Sequence, residues 1–283
     1  MNATADEMPR SVPALHDAIE ATRGQMDQLV RRAMAERGVP DMPFSFAQFA
    51  RLPMSDEEQA EIDEWERRRK ECEASVAETD EHRALEGRLR DLEREVEVTK
   101  AAGALTKRGV PEKDARAVAE MSLDETDAIK ACKAAVEARD RIIVLAGPPG
   151  VGKTTAAGWL VSKALSPHWH FDPLSSARFM TALELARISV YDDDAMAAVE
   201  RPDLLVIDDV GAEYADAKGM FSTIIDGVVN ARYARSLTTV ITTNLNATLF
   251  RERYGERVID RIRECGRFVE LKGASMRKRG RAA

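Results

Sequence analysis

The sequence predicts an α/β protein: a parallel sheet flanked by helices, preceded by a mainly helical amino-terminal domain. Three observations predict it. From Arg141 onward, short runs rich in Val, Ile, Leu and Thr alternate with amphipathic segments, as in strands joined by helical crossovers. The first of these runs leads straight into the glycine-rich segment GPPGVGKT, and a helical segment leaves it. Upstream, the stretch Ser55–Lys100 is rich in Glu and Arg and holds no proline, which reads as helix.

Length and composition agree. The 283 residues suffice for one sizeable domain and a smaller one, expected at residues 1–102 and 103–283. No apolar run approaches the ~20 residues that cross a bilayer, and the amino terminus lacks the basic and apolar regions of a signal peptide. Cys72, Cys132 and Cys265 are far apart. They offer neither a disulfide framework nor a zinc half-site, and they fit a reducing cytosol. A cytoplasmic protein without membrane or zinc is expected. The net charge of -7 hides an asymmetry. Residues 1–100 carry 15 basic and 24 acidic side chains, whereas residues 241–283 carry 11 and 5. A basic end can meet phosphate or simply form a solvated face.

In chain order, a helix is predicted around Leu15–Arg37. Pro40, Pro43 and Pro53 then break the pattern. Phe44, Phe46 and Phe49 between them read either as a hook for a partner or as a small helical core. Ser55 and Glu58 have the spacing of a capping box that starts a helix. Ile62, Trp65, Cys72 and Val76 follow heptad-like spacing, and Leu85, Leu89, Leu92 and Val96 repeat it out of phase. Two such stripes with a break predict a helical hairpin or short coiled coil serving as an interaction module. Gly103, Gly109 and Pro111 mark Ala101–Pro111 as the linker. Helices are predicted at Glu112–Met121 and Asp124–Ala138. RIIVLAG, ARFM, LLVIDD, TTVITTN and RFVEL are strand-like. Between them lie amphipathic segments near Thr154–Leu165, Thr181–Val190 and Gly219–Ala234.

The chemistry concentrates in three places. Gly147, Pro148, Pro149, Gly150, Val151, Gly152, Lys153 and Thr154 fit G-x-x-x-x-G-K-[ST], with Thr155 directly behind. Such a P-loop wraps backbone N–H groups around a β-phosphate at the positive end of a helix. Lys153 can reach the β- and γ-phosphates, and the Thr154 hydroxyl can ligate Mg²⁺. LLVIDDVG then brings Asp208 and Asp209 to the carboxyl end of a buried strand, where α/β sheets bind ligands. Asp208 is expected to hold Mg²⁺ through its water shell and Asp209 to orient or deprotonate the attacking water. In VITTNL, Asn244 ends a β-branched strand, placed for the γ-phosphate or the lytic water.

Taken in order, GPPGVGKT, LLVIDDVG, ITTNL, YGERVIDRIRE and GASMR resemble the DnaC/IstB branch of the AAA+ ATPases. The resemblance covers about residues 103–283, and ARFMTALEL is similar to that family's second strand and following helix. It assigns Lys153 and Thr154 to Walker A, Asp208 and Asp209 to Walker B, and Asn244 to sensor 1. Arg261 matches the arginine finger, which in such proteins reaches a neighbouring subunit's nucleotide, and Arg277 matches the sensor 2 arginine. Arg257, four residues before Arg261, shares its helical face and is the second candidate. By spacing alone, either arginine is equally a solvated residue of a basic helix. Asp209 stands where many AAA+ proteins carry Glu, which suggests slow turnover. Only 22 residues follow Arg261, too few for a full lid domain, so weak and partner-dependent ATP binding is expected.

The resemblance implies a switch ATPase that gathers on single-stranded DNA through its AAA+ domains while the amino-terminal domain grips a hexameric replicative helicase. The acidic amino-terminal module suits the grip. Against a DNA role, Tyr191–Asp203 is acidic and aromatics for base stacking are scarce in the ATPase domain. The main alternative is an IstB-like transposition helper on duplex DNA. A P-loop kinase for a small metabolite, or an adaptor that binds ATP without hydrolysing it, are further classes. The kinase is disfavoured because no second substrate pocket or Arg-rich lid is visible.

Overall fold

The computed structural model describes residues 11–41, 55–120, 126–165, 176–188, 191–212 and 220–273. The chain divides into two compact units, Met1–Lys100 and Ala101–Ala283.

In the first unit, helix α1 spans Val12–Glu36, started by Ser11, whose side chain accepts the Ala14 N–H. Helix α2 spans Asp56–Ala77. Its capping box is complete: the Ser55 hydroxyl accepts the Glu58 N–H, and the Glu58 carboxylate accepts the Ser55 N–H. Helix α3 spans Asp80–Thr106. The two heptad-like stripes differ from expectation in what they meet. Cys72 and Trp65 of α2 pack with Met34 and Val30 of α1, and Leu89, Leu92 and Val96 of α3 pack with Leu15 and Ile19 of α1. Each stripe is too narrow to bury both faces of a pair, and α1 offers apolar residues to both. Helix α1 is therefore the shared partner, and the stripes do not form one seam. Phe44, Phe46 and Phe49 lie outside the described residues.

The predicted linker is corrected as well, because α3 continues through Ala101 to Thr106. Ala101, Ala102 and Ala104 favour helix, offsetting the ~1 kcal/mol that Gly103 costs. Leu105 is buried in the core of the second unit.

The second unit opens with helices α4, Glu112–Glu120, and α5, Asp127–Glu137. Strand β1 is Ile142–Ala146, helix α6 Lys153–Ala164 and strand β2 Ala177–Thr181. Where a helix near Thr181–Val190 is predicted, only the short α7, Ala182–Ala186, forms. Helix α8, Asp193–Glu200, lies within the acidic stretch, its first turn capped by Asp192. Strand β3, Leu204–Val210, helix α9, Met220–Ala234, and strand β4, Thr238–Thr243, follow. Helices α10, Ala247–Tyr254, and α11, Glu256–Cys265, then lead into strand β5, Gly266–Glu270.

All four strand pairings are parallel, in the order β2-β3-β4-β1-β5. Side chains alternate across the sheet. Ile143, Leu145 and Val206 enter a core with α4, α5 and α6, whereas Ile142, Val144, Leu205 and Ile207 enter a second core with α9, α10 and α11. Because both faces are covered, the strands are apolar on both sides. Strand β4 lies between β1 and β3, so the segments that follow these three strands emerge side by side.

Candidate nucleotide site

At the end of β1 the chain must turn sharply. Gly147 adopts φ +152°, and a Cβ there would stand 2.6 Å from the Leu271 carbonyl oxygen. Gly150 and Gly152 hold φ of +87° and +88°, a left-handed conformation that glycine tolerates without steric cost. Helix α6 starts from Gly152, which brings no capping side chain. The first N–H groups of that helix are thus directed to the loop's concavity, an arrangement suited to an anion.

Lys153 sits at the base of the loop, only 6% exposed. Its Nζ donates to Gly147 O at 2.6 Å, Pro148 O at 3.0 Å and Asn244 Oδ1 at 2.9 Å. Its three protons match these three acceptors. Lys153 and Asn244 are therefore in direct contact, joined because β1 and β4 are neighbours.

Asp208 is 3% exposed at the end of β3. Thr154 Oγ1 donates to its carboxylate at 3.1 and 3.2 Å, and Thr242 Oγ1 donates to Oδ1 at 2.5 Å. Burial pushes the Asp208 carboxyl up to about 6, against the lowering effect of the Thr242 hydrogen bond; the Asp209 charge pushes it further up. Asp209 follows at φ +56°, a region that Asp enters more readily than most residues. The ladder to β4 is irregular between Ile207 and Val210, and the Asp209 N–H donates to Thr242 Oγ1 at 2.9 Å. The irregularity turns Asp209 outward: it is exposed beside two buried neighbours and lines the cleft.

That cleft, of about 400 Å³, is lined by Lys113, Asp114, Pro149, Gly150, Gly152–Thr155, Asp209 and Asn244, with Ala117. The donor set fits magnesium. A buried carboxylate raised by desolvation is stabilised by a nearby cation, and a hydroxyl stands within hydrogen-bond distance of it. No group of three or more His, Cys, Asp or Glu side chains among the described residues could hold a metal. A cation that takes one or two protein oxygens and completes its shell from phosphates and water matches this set.

Two residues of the site have no role assigned by the motifs: Thr242, which lies within VITTNL, and Asp114, which lies outside them all. Thr242 joins Asp208 to the Asp209 backbone. Its signal in the sequence is a hydroxyl at a buried strand position, which must find partners. Asp114 on α4 accepts the Thr155 hydroxyl at 2.6 Å. Of the remaining candidates, Arg257 and Arg261 lie on α11 and do not line the cleft. Arg261 donates to Arg257 O at 2.9 Å and to Asn230 Oδ1, stands 3.8 Å from Asp226 Oδ1 and lies over the Tyr233 ring. Arg257 stands 3.5 Å from Asp226 with 71% of its side chain exposed. Arg277 lies outside the described residues.

A parallel sheet carrying this loop, lysine, acidic pair and asparagine defines a P-loop ATPase of the AAA+ class. The chain belongs to the family of IstB-like ATP binding proteins, whose family model matches residues 58–283. Three solved structures are similar. The DnaC helicase loader shares 21% identity over 54% of this chain and 92% of its own, with a TM-score of 0.42. DnaI shares 18% over 56% and 88%, with a TM-score of 0.42. AMPPCP-bound DnaA from Aquifex aeolicus shares 17% over 56% and 51%, with a TM-score of 0.44. No curated protein matches the chain. No helix among the described residues is long and apolar enough to cross a membrane.

Proposed function

We propose that this nucleotide-binding ATPase is an assembly switch resembling the DnaC-type helicase loaders. ATP holds copies of the chain together on single-stranded DNA, and the amino-terminal unit grips a hexameric replicative helicase. One observation carries the switch reading. Among the described residues that line the cleft there is no arginine, whereas Arg257 and Arg261 stand on α11 outside it. In this reading the charge stabilisation that these cleft residues do not supply comes from an arginine of a neighbour, which makes turnover depend on assembly.

In this reading Thr154 and Asp208 hold Mg²⁺. When bound, the metal neutralises charge on the β- and γ-phosphates. Lys153 exchanges a loop carbonyl for a phosphate oxygen while keeping Asn244, so the asparagine feels the γ-phosphate through the ammonium. Asp209 orients the attacking water from its outward-turned position. Its side chain is one methylene shorter than Glu, so the water is held less closely and turnover is slow.

A second reading has its own support. The matching family model is that of IstB-like ATP binding proteins, which favours a transposition helper that acts on duplex DNA. The two readings separate in one experiment: the full-length chain with ATP is offered single-stranded DNA, duplex DNA, and host lysate. A loader retains a hexameric helicase and prefers single strands. A transposition helper prefers duplex and retains a transposase.

A further inference from the structure

Asp114 lies outside every motif of the site, and its place follows from packing. Helix α4 approaches α6 closely at Gly158, where a Cβ would stand 3.1 Å from Val110 Cγ1 and 3.6 Å from Val118 Cγ2. Ala115 is fully buried in the same contact region. This approach brings the first turn of α4 over the first turn of α6, and Asp114 Oδ1 accepts the Thr155 hydroxyl at 2.6 Å. Thr155 directly follows Thr154, one of the two residues that would hold Mg²⁺. Asp114 and Lys113 both line the nucleotide cleft.

The charges in and beside the cleft then conflict with its ligand. Lys113 and Lys153 supply two ammoniums, against three carboxylates from Asp114, Asp208 and Asp209. Two of those carboxylates belong to the end of β3, where a bound Mg²⁺ would offset them. The third is aimed at the loop that must receive an anion. A carboxylate within several ångströms of a triphosphate repels it, and only partial solvent screening relieves the repulsion.

Resting on the nucleotide reading above, we propose that Asp114 is a specificity-determining residue that makes the site discriminate the magnesium complex of ATP from the metal-free triphosphate. Metal-free ATP meets the full repulsion of Asp114. The magnesium complex carries two fewer negative charges and places a cation on the side of Thr154 and Asp208, so the repulsion is largely offset. The Thr155 hydrogen bond holds the carboxylate at the loop and keeps it from swinging into solvent.

The test is a comparison of ATP affinities of the full-length chain by calorimetry, in excess EDTA and in excess Mg²⁺. Asp114→Asn keeps an acceptor for Thr155 and removes only the charge. It should tighten metal-free binding by about tenfold and shrink the ratio of the two dissociation constants by the same factor, with the melting temperature little changed. Asp114→Ala removes the acceptor as well and should shrink the ratio equally, whatever it does to stability. A ratio unchanged in Asp114→Asn, or both affinities weakened in parallel, would overturn the inference and leave Asp114 a helix anchor. No binding by the unaltered chain in Mg²⁺ would instead overturn the nucleotide reading, and this inference with it.

Discussion

Thr242 Oγ1 lies 2.5 Å from Asp208 Oδ1 and also accepts the Asp209 N–H at 2.9 Å. One hydroxyl on β4 thus fixes both acidic residues at the end of β3. Thr242→Val keeps the shape, removes this donor and acceptor, and leaves a buried carboxylate short of a partner. The expected loss is about 1–3 kcal/mol of stability and about tenfold or more in ATPase activity. Urea denaturation and steady-state hydrolysis check the two losses. Unchanged activity would remove Thr242 from the site.

Arg261 and Arg257 differ in how their own chain holds them. Arg261 is tied to Asn230 and the Arg257 carbonyl, whereas Arg257 is mostly exposed beside Asp226. Arg261→Ala should lower assembly-dependent ATPase by about a hundredfold while leaving nucleotide affinity of the single chain nearly unchanged. Equal loss of both would mean that Arg261 acts within its own chain. Asp226→Asn tests the tether: it should weaken hydrolysis by a smaller factor and alter the dependence on protein concentration.

Arg232 is a buried cation without a catalytic part. It is fully buried and donates to Glu200 O at 3.1 Å, Pro202 O at 2.7 Å, Thr238 O at 2.6 Å and Thr239 Oγ1 at 2.9 Å. Burial pushes its guanidinium down to about 10. These carbonyls belong to the chain entering β3 and β4, at the end of the sheet opposite the nucleotide cleft. Arg232→Met leaves several carbonyls unpaired and should cost about 3 kcal/mol or more. Denaturant titration measures it, and a loss below 1 kcal/mol would contradict the assignment.

Cys132 is buried between α5 and α6, with its thiol 3.8 Å from Ala156 O. Burial pushes it from 9.0 up to about 12. The raised value means that the folded state keeps the proton that the unfolded chain releases. Its contribution to stability is therefore complete below pH 9 and is lost as pH rises towards 12. Stability measured across that window should fall less steeply in Cys132→Ala than in the unaltered chain. Equal slopes would contradict a buried, protonated thiol.

The sheet and its site differ in how far the sequence discloses them. Runs such as IIVLA and LLVI are apolar on both faces, so burial within a helix-covered sheet is written into each run by itself. The loop, the acidic pair and Asn244 are equally local, because each ends a strand. Asp114 is not local: its place depends on the close approach that Gly158 allows between two helices, and nothing near Asp114 marks it. The same limit applies to the amino-terminal third. The stripes of α2 and α3 are plain in the sequence, but α1 as their shared partner is a matter of three-helix packing. Ala101–Thr106 shows the opposite failure, since Gly103, with Gly109 and Pro111 behind it, suggests a break that alanine and a buried Leu105 override.

The most direct test of the nucleotide cleft is calorimetric titration of ATP with Mg²⁺ into the full-length chain and into Lys153→Ala. The unaltered chain should take up one nucleotide per chain, and loss of the ammonium that Gly147, Pro148 and Asn244 hold should weaken uptake about a hundredfold. Equal affinity in the two proteins, or no uptake by the unaltered chain alone or in its assembly, would contradict the account.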